Sequence, residues 1–356
     1  RAGLTVLGLS LAVAILILGH YFVDAIEYLG EVQFRIVQRE DVTVAFHDPR
    51  PARARYELAA LPGVLRAEPF RVVAARLRHG HAERRVAVFG LGSDAELRRI
   101  VGSDLAALPV PAEGLVLTTK LAEILGVEAG DEVIVEVLEG ARPVRPVRVA
   151  GLADELIGLS AYMDDRALHR LMREDATLSG AFLRVDAQAL PRVYAELKRM
   201  PAVAGATTRL AALQGFEETL AKSLGVFTTV LVTFAAVIAA AMVYNAARIA
   251  LSERGRELAS LRVLGFTRRE VALLLLGEQA LLTVAALPLG FWIGYRLCAA
   301  LAAAYQWELF RMPLVVSDRT YGFALGVVVA SALLSSLAVR RRLDRFDLVE
   351  VLKARE

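Results

Sequence analysis

Few side chains in this 356-residue sequence stand in patterns that could do chemistry. The stretch HGHAE brings His79, His81 and Glu83 close enough together to grip a metal ion through two imidazoles and a carboxylate. The same stretch holds Gly80 at the tip of an expected hairpin, where solvated turn residues are the simpler reading. Glu278, with Gln279 beside it, is the one carboxylate well inside an apolar run. An ionisable group at membrane depth costs about 2.5–3.5 kcal/mol to insert, which makes Glu278 a candidate for a proton or substrate site. It follows a helix-start signal at Thr267 by roughly 15 Å of helix, which leaves it near an interface and favours a structural hydrogen bond. The single cysteine, Cys298, lies in an apolar run and permits no intramolecular disulfide. No G-x-x-x-x-G-K-[ST], H-E-x-x-H, G-x-S-x-G or paired-cysteine spacing occurs, so the sequence assigns no catalytic residue, metal site or cofactor to this chain.

Hydrophobic residues make up 56% of the chain and charged ones 23%, a combination that requires apolar and charged segments to be segregated. Basic residues number 42, of which only Lys120, Lys198, Lys222 and Lys353 are lysines, and they are interspersed with acids rather than clustered. That pattern excludes a nucleic-acid footprint. A bilayer core of about 30 Å needs roughly 20 apolar helical residues. Four segments meet the test: residues 1–23, 223–251, 268–302 and 320–339, with Pro288 expected to kink the third. His20, at the outer end of the first span, reads as an interfacial side chain. Gly322, Gly326 and Ala330 form a small-residue ridge on the fourth span, suited to close packing within the bundle or between protomers.

Orientation follows from the short-loop basic residues. Arg248, Arg254, Arg256, Arg262, Arg268 and Arg269 flank the second and third spans, and Arg340, Arg341, Arg342, Arg345, Lys353 and Arg355 fill the tail at 340–356. Only Arg311 and Arg319 lie in or beside the loop at 303–319. Both termini are therefore expected in the cytoplasm, and residues 24–222 outside. The exterior segment reads as an α+β domain, two α+β pieces around a small β-rich insertion, with a hairpin at Gly80 and a helix stopped by Gly126. Val23, Ile26 and Leu29 after the first span, and Leu210, Leu213, Phe216, Leu220, Leu224 and Phe227 before the second, keep helical spacing. Two readings are open for these stripes: a paired stalk, or helices simply buried beneath the domain.

The charged island LSERGRELASLRVLGFTRRE, between the second and third spans, carries its own punctuation. Ser252 is placed to cap a helix running to Leu264, with Gly265 as its left-handed stop. Leu258, Leu261 and Leu264 form an apolar stripe on it. Thr267 and Glu270 then have capping-box spacing, with Phe266 and Val271 at the staple positions. Residues 252–267 could be an amphipathic helix resting on lipid headgroups, or a knob that docks in a groove of a cytosolic partner; charge and period alone serve both.

The island ARIALSERGRELASLRVLGFTRREV resembles the cytoplasmic loop of the FtsX-like permeases, the membrane subunits of ABC systems that include MacB-type exporters and lipoprotein-release permeases. Glu253, Arg254, Arg256, Glu257, Leu258, Leu261, Arg262, Leu264 and Gly265 match that loop in place, whereas Gly255, Val263 and Phe266 depart from it. ILGVEAGDEVIVEV is similar to an element of the family's exterior domain, and RRRLDRFDLVEVLKARE to its closing segment, although the common proline is absent near Asp347. The resemblance implies four transmembrane helices with a large α+β extracytoplasmic domain between the first two, in a bacterial inner membrane. It implies that the matched residues form the coupling helix, seated on a separate cytosolic ABC ATPase that holds ATP and Mg. It further implies a second permease unit, as a dimer or as a tandem repeat in a longer chain of which this sequence is expected to be a piece. Membrane lipid and a periplasmic protein are the other expected partners. The implied function is extrusion of a lipid, lipoprotein, peptide or drug; the rivals are an ABC-coupled regulator of a cell-wall hydrolase, and an ATPase-independent receptor or intramembrane enzyme using Glu278.

Overall fold

The computed structural model describes residues 2–253, 260–261, 264–304 and 311–344. The chain divides into two compact units: one of Arg1–Glu27, Leu220–Tyr305 and Met312–Glu356, the other of Tyr28–Thr219 and Gln306–Arg311. Helix α1 (Ala2–Glu31) contains no proline and continues as a π-helical segment, Val32–Val37. That segment ends where Gln38 N–H donates to the Gln33 carbonyl, five residues back, at 2.9 Å.

The second unit begins with β1 (Val42–Pro51), α2 (Ala54–Ala59), the long β2 (Val64–His79) and β3 (Ala82–Leu91). Short strands β4 (Ile100–Val101) and β5 (Ala107–Leu108) pair only with each other. Then come β6 (Leu115–Thr118), α3 (Thr119–Leu125), β7 (Glu132–Val137), β8 (Val144–Ala153), β9 (Ser160–Asp164) and α4 (Asp165–Met172). The unit closes with β10 (Thr177–Val185), α5 (Leu190–Arg199) and β11 (Val203–Thr208). The hairpin turns at Gly80, and Gly126 ends α3 in the left-handed conformation with φ 65°, as local sequence predicts.

The strands form one nine-stranded sheet, β11-β1-β10-β2-β3-β9-β6-β8-β7, and β7 also pairs back onto β2. That last pairing, Ala75 to Val137 through Arg78 to Ile134, closes β2, β3, β9, β6, β8 and β7 into a barrel. Instead of two α+β pieces around an insertion, the domain is one α+β layer, β11-β1-β10-β2 under α2 and α5, with the barrel grown out of its second strand. The layer has the split β-α-β arrangement of ferredoxin-like domains. Its core is Val42, Val44, Leu58, Ala181, Leu183, Val193 and Leu197. The barrel is filled by the inward members of alternating strands: Val73, Ala75 and Leu77 from β2, Val86 and Val88 from β3, Val133, Val135 and Val137 from β7. Strand β2 belongs to both pieces, pairing with β10 through Phe70 and with β3 from Phe70 onward. Gly180 makes that transition possible, because a Cβ there would collide with the Val44 carbonyl and the Phe70 ring.

Helices α6 (Arg209–Glu253), α7 (Arg268–Ala304) and α8 (Asp318–Asp344) follow. Among the described residues four stretches are long and apolar enough to cross a membrane: Gly3–Val37, Gly225–Ala246, Leu276–Ala304 and Asp318–Leu337. Helix α7 runs through Pro288 without ending. Ser252 is not a helix start. It lies in the last turn of α6, where neither glycine nor proline stands to interrupt the helix.

Candidate functional site

Of the residues assigned to the cytosolic docking helix, Arg254, Arg256, Glu257, Leu258 and Arg262 lie outside the described residues; Glu253 ends α6. What is described is the exit from that helix. Phe266 N–H donates to the Leu261 carbonyl at 3.1 Å and Leu264 N–H to the Ser260 carbonyl at 3.0 Å, while Gly265 takes φ 100°. A bond spanning five residues around a left-handed glycine is a Schellman stop. Immediately after it, Thr267 N–H donates to Glu270 Oε2 at 2.7 Å, and Glu270 N–H donates to Thr267 Oγ1 at 3.3 Å. This reciprocal capping box starts α7 and holds the Glu270 carboxyl below its ordinary value. Val271, at the staple position, is buried. The turn thus has a defined shape on both sides, and it presents Leu264, 76% exposed, and Phe266 to solvent.

In the helical unit, close approach is made on α7 rather than on the expected ridge of α8. A methyl group added at Gly294 would lie 2.8 Å from Ile17 Cδ1 and 3.2 Å from Ala14 Cα. One added at Gly290 would lie 2.6 Å from Val13 Cβ and 2.9 Å from the Ser10 carbonyl. These two glycines form the notch that receives α1. Ser10 Oγ reinforces it with a 2.9 Å bond to the Ala286 carbonyl. At Gly322 and Gly326 a methyl group would meet nothing within 4 Å, and Ala330 is exposed. Small residues at four-residue spacing occur on both helices, and spacing alone does not reveal which ridge has a neighbour. We therefore expect Gly294→Leu to destabilise the bundle by about 1–3 kcal/mol through overpacking, read as a lower thermal midpoint in detergent. Gly322→Leu leaves that midpoint unchanged in the isolated chain.

Gln279 is buried and its carbonyl accepts from Thr283 Oγ1 at 2.8 Å; Glu278 is half-buried beside it. Among the described residues no group of three or more His, Cys, Asp or Glu side chains is placed to hold a metal, and His79 Nδ1 faces the Leu125 carbonyl at 3.2 Å. His20 stacks on Phe323. A more deeply integrated carboxylate, not singled out by sequence, is Asp24 of α1. It is buried and accepts from Ser317 N–H at 2.8 Å, Ser317 Oγ at 2.9 Å and Thr320 Oγ1 at 2.6 Å, so that it fastens the first turn of α8 to α1. The residue types S-D-R-T at the start of α8 announce a helix cap. Nothing local announces its partner, 293 residues away.

Within the exterior unit the helix roots are sewn to strands. Arg39 N–H donates to the Leu97 carbonyl at 2.8 Å and Arg99 N–H to the Val37 carbonyl at 3.0 Å, just after the π-helical segment. Val32 and Val37 of that segment pack on Val101. At the other root, Arg209 donates to the Phe34 carbonyl at 3.2 Å through its side chain and to the Asp41 carbonyl at 3.0 Å through its backbone. The Phe216 ring meets Phe34 edge-on at 5.6 Å and lies beside Gly30. Phe216 and Leu213, two of the residues in the periodic stripe, therefore face the end of α1.

Behind these roots Tyr162 donates to Glu155 Oε1 at 2.6 Å, with both side chains buried. Burial raises the Glu155 carboxyl above its ordinary value of 4.5, outweighing the Tyr162 bond and the nearby Arg98 charge. The folded state thus holds this proton more tightly than the unfolded chain does. Its contribution to stability is full below the unfolded value and is lost as pH rises through the folded value. Glu155→Gln is expected to remove that loss, so the variant's thermal midpoint gains on the parent as pH rises from 4.5, the ordinary carboxyl value.

Comparison with known proteins bears on these elements. A family model described as MacB-like periplasmic core domain matches residues 2–222, and one described as FtsX-like permease C-terminal matches residues 229–347. The periplasmic region of MacB from Actinobacillus actinomycetemcomitans is similar over 51% of this chain and 95% of that one, at 13% identity and a TM-score of 0.35. The extracellular domain of the noncanonic ABC-type transporter YknZ from Gram-positive bacteria is similar over 45% of this chain and 90% of that one, at 15% identity and a TM-score of 0.33. No curated protein sequence matches.

Proposed function

This chain belongs to the FtsX-like permease family of ABC transporters with a MacB-like periplasmic core domain, and we propose from that membership that it transmits force from a cytosolic ATPase to its exterior domain. The permease carries no ATPase of its own in this reading; a separate subunit binds ATP and Mg and closes on the turn between α6 and α7. The observation that carries the proposal is the build of that turn. A Schellman stop followed within two residues by a capping box gives residues 264–270 a fixed shape, and the exposed Leu264 and Phe266 supply apolar surface for a groove.

The residues offered to the ATPase are Glu253, Arg254, Arg256, Glu257, Leu258, Leu261, Arg262, Leu264 and Gly265. The basic residues flanking the turn support a cytoplasmic position for it and for both termini in a bacterial inner membrane, with the domain between α1 and α6 outside. Four spans are few for a pathway, so a second permease unit completes the assembly, through a dimer or a tandem repeat. The exposed ridge of Gly322, Gly326 and Ala330 is offered as part of its contact. The cargo class is a lipid, lipoprotein, peptide or drug, extruded from the outer leaflet or the periplasm by movement of the exterior domain.

Purification of the full chain from its native membranes tests the reading. A separate ATP-hydrolysing subunit is expected to remain bound in mild detergent, and a cysteine in place of Leu264 is expected to react with impermeant reagents only from the cytoplasmic side. Labelling from the outside, or a permease free of any ATPase, overturns the proposal.

A further inference from the structure

Arg311, Pro313 and Ser317 lie in the connection between α7 and α8. Arg311 belongs to the exterior unit, although helical segments precede and follow it in sequence. Its guanidinium donates to Asp154 Oδ1 at 2.9 Å and to Glu123 Oε1 at 3.1 Å, and its backbone N–H donates to the Leu156 carbonyl at 2.9 Å. Asp154 follows β8 directly, and Glu123 lies on α3, so one planar fork spans two elements of the barrel. Asp154 is itself held from the other side, since its N–H donates to the Val101 carbonyl at 2.9 Å, and Val101 packs on Val32 and Val37.

Two residues after Arg311, the Pro313 carbonyl accepts from Tyr21 Oη at 2.9 Å in the helical unit. Four residues further, Ser317 is bound by Asp24. The span from Arg311 to Pro313 is two residues, which reach about 7 Å at full extension. Any displacement of residues 154–156 beyond that reach must either break the Arg311 fork or carry the outer ends of α1 and α8 with it. An idle connection between two helices has no use for a cation shared between two carboxylates and a main-chain bond one residue before the chain re-enters the bundle.

We infer that Arg311 is a positioning residue for coupling: it makes the α7–α8 connection a short tether through which motion of the helices is imposed on the Asp154–Leu156 segment of the barrel. The inference rests on the force-transmitting reading above. The fork stays closed during the cycle, because a tether that opened would transmit nothing.

Hydrogen exchange on the full chain with its bound ATPase, in lipid nanodiscs with and without vanadate-trapped ATP, tests this. In the unaltered complex, nucleotide is expected to change exchange at residues 154–164. In Arg311→Ala, ATP hydrolysis continues at close to the parent rate, while the nucleotide-dependent change at 154–164 falls by about fivefold or more. Asp154→Asn, a milder change, is expected to act in the same direction. A cross-link of Arg311→Cys to Asp154→Cys by a short bifunctional thiol reagent, in a Cys298→Ala background, preserves the nucleotide response. A full response in both Arg311→Ala and Asp154→Asn overturns the tether alone, as does a response abolished by the cross-link. An unaltered complex whose exterior domain ignores nucleotide overturns the force-transmitting reading, and the tether with it.

Discussion

A Gly265→Pro chain is expected to insert in the membrane with all four helices and yet to lose its ATPase on purification. Gly265 adopts φ 100°, a conformation that residues with side chains avoid, and proline is locked near −65°. The substitution therefore removes the Schellman stop, in which Phe266 N–H reaches the Leu261 carbonyl, and sends the chain out of the turn in another direction. The spans begin well away on either side, at Leu276 and before Ala246, so their insertion is untouched. Loss of the turn's shape should weaken association by tenfold or more, equivalent to about 1.4 kcal/mol, because the apolar side chains no longer arrive together in the groove. Leu261→Asp reaches the same end by another route, keeping the backbone and placing a charge on the apolar stripe. Normal ATPase recovery with both variants would show that the docking surface lies elsewhere.

The second large effect belongs to Arg71. This side chain is 4% exposed where β2 passes from the layer into the barrel. It donates to Glu139 at 2.5 Å, to Glu174 at 2.9 Å and 3.2 Å, to Ser179 Oγ and to the Val72 carbonyl. Glu139 follows β7 of the barrel and Glu174 precedes β10 of the layer, so one cation fastens the two pieces to each other. Burial alone would raise the Glu174 carboxyl, but the Arg71 bond and charge outweigh it and hold the group below its ordinary value. That part of the stability is present above the unfolded carboxyl value and is lost as pH falls through the depressed one. Arg71→Ala leaves two carboxylates facing each other without their cation, and about 3 kcal/mol of exterior-domain stability should go with it. For a domain of this size the thermal midpoint falls by about 6–12 °C. Differential scanning of the full chain in detergent reads the shift, and an unchanged midpoint would show that solvent compensates for the missing guanidinium.

These two predictions also mark what was legible in the sequence. Gly265, the Thr267–Glu270 box, the Gly80 hairpin and the Gly126 stop are decided within half a dozen residues, and their conformations follow from side chains adjacent in the chain. The family pattern of the island was legible for the same reason. Arg71 meets partners 68 and 103 residues away, and Arg311 meets partners 157 and 188 residues away. No local period encodes such meetings; the barrel must close first. Ser252 misled because a serine can sit inside a helix as readily as at its start, and α6 runs through it to Glu253. Gly322 and Gly326 have the same spacing as Gly290 and Gly294, and only the path of α1 distinguishes the pair that packs within this chain from the pair that does not.

Closure of the barrel through the β2–β7 pairing has one more consequence. The only cysteine of the chain lies in α7, so the exterior domain attains its rigidity by joining a sheet to itself rather than by oxidising thiols. Its maturation after secretion therefore needs no oxidant or disulfide shuffling, and reducing agents leave its melting behaviour untouched.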